Sequence, residues 1–273
     1  MKDLLVVLDT NSRDEFVTYS VSMARLFGAH LTATGISLDF VPPPSFVGEY
    51  PYQFAAAAAE ETSRAVHAIY DKFHGAADLA GIVSELQMVE GLPSRARQDF
   101  GRLTRTFDMI MIEQPSRDGN VGDELLVEAS LFNSGRPVLI VPYIQTGEVK
   151  LSHILIGWDG GVAAARAVGD ALPLLKKADK VDVVTITSRR ADDKEMPGFD
   201  IAKHLARHGV NAEVKRLPAS DEPAGALLSY AADAGSDLLV MGGYGHSRLR
   251  EFVLGGTTRN ILGTMTLPVF MSH

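Results

Sequence analysis

Cysteine is absent from the chain, which excludes disulfides and thiol catalysis and fits a reducing compartment. Tryptophan occurs once. No apolar run approaches the length of a membrane span, and Leu4 to Leu8 is too short for the apolar core of a secretion signal. The expectation is a cytoplasmic protein with no membrane partner. Positive charge is in deficit: 26 Lys and Arg stand against 34 Asp and Glu, for a net charge of −8. Nucleic acid and anionic membrane surfaces both call for a basic face, so neither is expected as a partner. Two signatures of chemistry are missing as well. There is no Gly-x4-Gly-Lys-(Ser/Thr) phosphate loop and no Gly-x-Ser-x-Gly nucleophile elbow.

What is present is an ordinary globular composition, 46% apolar and 22% charged, over 273 residues. That length accommodates two domains. An internal repeat supplies them. Leu4-Leu-Val-Val-Leu-Asp9 reads as a buried strand ending in a carboxylate, and Ile154-Leu-Ile-Gly-Trp-Asp159 reads the same way 150 residues later. Leu31 to Ile36 matches Val181 to Ile186 at that offset, Phe107 to Ile112 matches Ser236 to Met241 at 129, and Arg136 to Val141 matches Leu267 to Ser272 at 131. Four strands matched in order indicate duplication. The fall in offset places an insertion of 21 residues in the first half.

Helical periodicity fills the intervals: Phe16 to Phe27, Ala56 to Phe73 and Ser94 to Leu103, then Ala163 to Leu175, Ile201 to His208 and Ala224 to Ala234. Strand alternating with helix predicts an α/β chain of two tandem doubly wound, Rossmann-like domains, each with a five-stranded parallel sheet. The expected division is 1–146 and 147–273, with Tyr143 to Leu151 as linker. Within the insertion, Asp39 to Phe54 is rich in proline and aromatics, which rules out a regular helix or central strand. It reads as a flap, a lid or a partner surface.

One stretch carries functional information. The short apolar run Leu238 to Met241 reads as a buried strand and is followed by Gly242, Gly243 and Gly245; later come Gly255-Gly256, Thr257 and Thr258. Glycines at a strand end allow positive φ and close approach to main-chain donors, and a helix N-terminus attracts anions. The pattern reads equally as a phosphate cradle or as a tight strand-to-helix connection.

The spacing Gly242-x2-Gly245-x9-Gly255 is similar to the nucleotide-binding signature of the universal stress protein family. The strand ending at Asp159 and the terminal Leu-Pro-Val-Phe-Met strand resemble that family too. One departure stands out: the hydroxyl residue the signature places after Gly255 is Gly256 here, with hydroxyls at Thr257 and Thr258. The resemblance implies strand order 3-2-1-4-5 and an adenine nucleotide, ATP or a relative, with or without Mg2+. It also implies roles. Asp159 would reach a ribose hydroxyl or a magnesium-bound phosphate, and Ile186 would flank the adenine. Gly242, Gly245, Gly255, Gly256, Thr257 and Thr258 would wrap the phosphates. Taken alone, Asp159-Gly160-Gly161 also reads as a strand-end turn.

The first half lacks the glycines: after Ile112 come Glu113, Gln114 and Pro115. Glu113 would repel a phosphate and Pro115 lacks an amide hydrogen, so this half reads as a degenerate nucleotide site. His204 and His208, four apart on a helix, have no third ligand near them in sequence, and no metal site is assigned. No residue is placed to activate an attacking water, so catalytic residues are not assigned and slow hydrolysis or autophosphorylation is the most expected. The function implied is a nucleotide-responsive stress role. The alternative is a binding module for a small apolar ligand or protein, using the aromatic insertion. The apolar terminal strands Val138 to Val141 and Val269 to Met271 invite pairing. That pairing would form an intramolecular pseudo-dimer of the two halves or a homodimer.

Overall fold

The computed structural model describes residues 1–9, 11–38, 52–91, 93–115, 121–186, 199–243 and 256–273. Of these, one compact unit takes the residues in 1–113, 121–136 and 146–149; the other takes Gln114, Pro115, 137–145 and those from 150 onward.

In the first unit the strands are β1 (Asp3–Val7), β2 (His30–Leu38), β3 (Ser84–Gly91) and β4 (Met109–Glu113). They lie in the order β3-β2-β1-β4, all parallel. Helices α1 (Asp14–Phe27), α2 (Tyr52–Leu79), α3 (Pro93–Thr104) and α4 (Val121–Asn133) connect or follow them. Leu4 to Val7 are all buried, as a central parallel strand covered on both faces requires. Acidic residues open α1 and Arg25 closes it, complementing its dipole.

The second unit contains β5 (Val138–Val141), β6 (His153–Gly157), β7 (Lys180–Ile186), β8 (Ala212–Leu217), β9 (Leu238–Gly242) and β10 (Val269–Ser272). Its helices are α5 (Val162–Leu175), α6 (Phe199–Arg207), α7 (Pro223–Ala234) and α8 (Gly256–Thr264). The order is β5-β10-β9-β6-β7-β8. The run β8-β7-β6-β9-β10 is the expected 3-2-1-4-5, parallel throughout. Although β5 belongs to the first repeat in sequence, it lies antiparallel against β10, with Val138 opposite Met271 and Ile140 opposite Val269.

The repeat is therefore visible in the backbone, and both units are doubly wound α/β structures. The expected helices are present within a few residues. Sequence periodicity did not single out β3, β8 or α4. In β8 the reason is polarity: its side chains are exposed or half-buried, and Glu213 and Lys215 pair at 2.7 Å on its surface. The segment from Tyr143 to Leu151 holds no strand or helix. Most of the aromatic insertion, residues 39–51, lies outside the described residues. Among the described residues no helix is long and apolar enough to cross a membrane.

At the amino edge of the second unit's strands a polar cluster is buried in the core. Asp182 is fully buried, and its Oδ2 accepts from Tyr230 Oη (2.9 Å), His153 Nε2 (3.0 Å) and Lys180 Nζ (3.3 Å). The other ring nitrogen of His153 faces the Ala234 carbonyl at 3.1 Å. Burial pushes the Asp182 carboxyl up, but the Tyr230 and Lys180 hydrogen bonds and the His153 charge bring it below its ordinary value. Burial first, then the hydrogen bond to Asp182 and the charges of Asp182 and Glu213, push the Tyr230 hydroxyl up to about 12. His153 thus ties β6 to β7 and α7. Its place is structural, and it lies at the opposite edge from the glycines.

Candidate functional site

In the second unit the chain leaves β6 for α5 on one side while β9 arrives on the other, so strand order reverses between β6 and β9. Ligands of doubly wound sheets bind beyond the carboxyl ends of the strands at that reversal. The register places Gly157 opposite both Met241 and Val184. Asp159, Ile186 and Gly242 are thereby brought to one edge, at the ends of three adjacent strands.

Asp159 is exposed, and its Oδ1 accepts the Gly161 amide at 2.8 Å. The turn needs Gly160 at φ 75°, a conformation glycine adopts at no steric cost. The strand-end turn read from Asp159-Gly160-Gly161 is therefore present, and it holds the carboxylate at the crevice beside the start of α5. Ile186 closes β7 half-buried. Trp158, on the residue before Asp159, is half-buried and donates its amide to Val184 at 2.9 Å.

Gly242 has a packing role of its own. A Cβ there would stand 2.5 Å from the Ala164 nitrogen and 2.7 Å from the Ala163 carbonyl carbon. The end of β9 thus lies directly against the first turn of α5, with no room for a side chain. The next amide, Gly243, is committed to the Ser272 carbonyl at 2.8 Å. Gly245 and Gly255 lie outside the described residues.

Gly256 opens α8, exposed and with open space around it, followed by half-buried Thr257 and buried Thr258. Thr258 is 3% exposed. The helix packs on α7, and the short link from Met265 to Pro268 ties its C-terminus to the start of β10. Because β9 and β10 are parallel, the helix between them runs back against the strands. Its N-terminus accordingly faces the carboxyl edge, where first-turn amides have no intrahelical partner.

The same junction in the first unit is built differently. Asp9 makes the matching turn, its Oδ1 accepting the Asn11 amide at 2.7 Å. At the offsets of the sequence repeat, Gly242 falls on Glu113, and Ala163 and Ala164 fall on Arg13 and Asp14. Glu113 accepts from Arg13 Nε in an ion pair and from the Arg13 amide at 3.4 Å. Burial pushes the Glu113 carboxyl up, against the lowering effect of Arg13. A carboxylate of the chain itself therefore sits at the start of α1. Sequence reading identified Glu113 as hostile to phosphate but missed Arg13, whose signal was the aligned repeat: strand-end Glu113 and helix-start Arg13 replace Gly242 and Ala163 together.

Fold and edge define the class: a doubly wound α/β protein whose candidate site is the switch-point crevice of its second unit. Comparison with known proteins specifies it further. Residues 150–273 match the model of the universal stress protein family. Universal stress protein Slr1230 from Synechocystis sp. is 30% identical over 171 residues, covering 60% of this chain and 57% of that protein. The match thus spans less than two thirds of the relative's length. A universal stress protein from Archaeoglobus fulgidus DSM 4304 superposes with a TM-score of 0.69 at 15% identity, covering 98% of this chain and 94% of that one. A putative universal stress protein from Pseudomonas aeruginosa UCBPP-PA14 gives 0.60 at 13% identity, with coverages of 99% and 92%. These two likenesses speak to fold. The likeness to the universal stress protein family thus lies over residues 150–273, and the two solved structures share the fold.

Proposed function

We propose that residues 147–273 form an adenine-nucleotide-binding domain, with ATP as the first ligand to test. In this reading residues 1–146 form a companion domain whose equivalent site is degenerate. The observation that carries the reading is the carboxyl-edge arrangement at the switch point. Asp159 is held exposed by its turn, Ile186 ends the neighbouring strand, and the open first turn of α8 faces the same edge.

Asp159 then takes a ribose hydroxyl or a magnesium-bound phosphate oxygen, and Ile186 lies against the base. Gly245 and Gly255, with Gly256, Thr257 and Thr258, take the phosphates in this reading. Gly242 contributes by letting the crevice floor close against α5. In the companion domain the Glu113–Arg13 pair stands where an incoming phosphate would go, which supports its degeneracy. Among the described residues of this edge no side chain is placed to activate water, and the role proposed is regulatory binding in a stress response, with slow hydrolysis or autophosphorylation at most. The β5–β10 pairing supports an intramolecular pseudo-dimer, and a homodimer and a cytoplasmic setting complete the proposal.

Isothermal titration with ATP and Mg2+ tests it. Micromolar binding, lost in Gly245→Asp and weakened in Asp159→Ala, is the expected result. Absence of binding by the unaltered chain would overturn it and favour a non-nucleotide interaction module.

A further inference from the structure

The helix that opens with Gly256-Thr257-Thr258 is held at its far end by a residue from 148 positions earlier. Gln114, 7% exposed, donates from Nε2 to the Leu262 carbonyl at 2.7 Å and accepts at Oε1 from the Tyr143 amide at 3.2 Å. Its own amide donates to the Val141 carbonyl at 2.8 Å. The orientation of the side-chain amide is settled by its partners, because a carbonyl can only accept and a backbone amide can only donate. Leu262 lies in the last turn of α8, where carbonyls have no intrahelical donor. Gln114 therefore supplies a C-terminal cap that the helix's own sequence lacks.

A nine-residue helix is too short to be stable by propensity, so its position depends on what holds its ends and faces. The face is packed on α7. One end is bound by Gln114, and the other faces the carboxyl edge. The geometry points to Gln114 as a positioning residue for the nucleotide site: it fixes α8 so that the Gly256–Thr258 turn is set before ligand arrives. This rests on the nucleotide reading above. It adds that the first repeat, lacking the glycines itself, provides the brace for the site in the second.

The test compares the full chain with Gln114→Glu and Gln114→Met. Glutamate keeps the acceptor for Tyr143 but turns a carboxylate toward the Leu262 carbonyl; methionine removes both bonds at similar size. Hydrogen exchange is followed on α8 and on β6, together with ATP affinity and the unfolding midpoint reported by Trp158. The expected result is exchange about tenfold faster in α8 with β6 unchanged, from the loss of one buried hydrogen bond. ATP affinity should fall about three- to tenfold in both variants, with Glu the stronger effect. Unchanged exchange in α8, or exchange raised equally in α8 and β6 with a lower midpoint, would overturn the proposal, the latter by showing a merely structural role. Altered α8 exchange with undiminished ATP affinity would overturn it too. Should the unaltered chain fail to bind ATP, the nucleotide reading falls by itself, and the exchange pattern alone decides whether Gln114 holds α8.

Discussion

Two glycines of the signature region should respond oppositely to the same added methyl group. In Gly242→Ala the new carbon would meet the Ala164 nitrogen, the Ala163 carbonyl carbon and the Ala163 Cβ at 2.5, 2.7 and 2.9 Å. Carbon contacts are optimal near 3.5–4.0 Å, so the shortest of these falls about an ångström short. Two of the three partners are backbone atoms of the first turn of α5, which cannot rotate away as a side-chain tip would. Overpacking of this kind costs roughly 1–3 kcal/mol, and the backbone contacts place this case near the top, at about 3 kcal/mol. For a unit of this size that is a fall in Tm of about 6–12 °C. In Gly256→Ala the methyl group meets nothing within 4 Å, and the residue already begins a helix. Stability there should hold or rise by up to about 1 kcal/mol. Trp158, the single tryptophan, directly follows β6 in the same unit. Its emission during thermal or urea unfolding therefore reports on the domain at issue. Equal midpoints for Gly242→Ala and the unaltered chain would refute the close packing of β9 against α5.

Other perturbations discriminate as sharply. Because the Asp182 carboxyl is held below its ordinary value, its stabilising contribution is complete above that value and is lost as pH falls through the lower, folded one. Asp182→Asn should flatten the acid limb of the urea midpoint below about pH 4, and at neutral pH cost about 3–5 kcal/mol by leaving buried donors without their anion. The Tyr230 hydroxyl has the opposite sense: raised to about 12, it stabilises fully below its ordinary value near pH 10 and the effect disappears as pH passes the folded value. Tyr230→Phe should remove that alkaline dependence from the Trp158-monitored midpoint. In the first unit, Arg13→Met leaves the half-buried Glu113 carboxylate without its cation and should lower stability by about 1–3 kcal/mol. A companion Arg13→Met/Glu113→Gln variant should recover most of that loss in the same denaturation assay.

The sequence was most readable where burial leaves little choice. Leu4 to Val7, Ile154 to Ile156 and Leu238 to Met241 are continuous apolar runs because parallel strands are covered on both faces, and their spacing exposed the duplication. Edge strands β3 and β8 were illegible for the converse reason: most of their side chains are half-buried or exposed, so no continuous apolar run marks them. Asp159 and its glycine turn could be read directly, since the Asx turn is encoded within three residues. The packing role of Gly242 could not, because the atoms it avoids belong to Ala163 and Ala164, far away in sequence. Gln114 was invisible for the same reason. Its side chain serves a helix end that appears 148 residues later, and no local pattern marks a distant cap.

The antiparallel seam between β5 and β10 has a practical bearing on how the protein can be cut. The stretch matching the family model, residues 150–273, leaves out both β5 and Gln114. Expressed alone it would lose both Gln114 and the strand that covers Val269 to Ser272, leaving hydrophobic backbone ready to seize another copy. Such a fragment should self-associate, whereas the uncut chain already carries its own cover for that border.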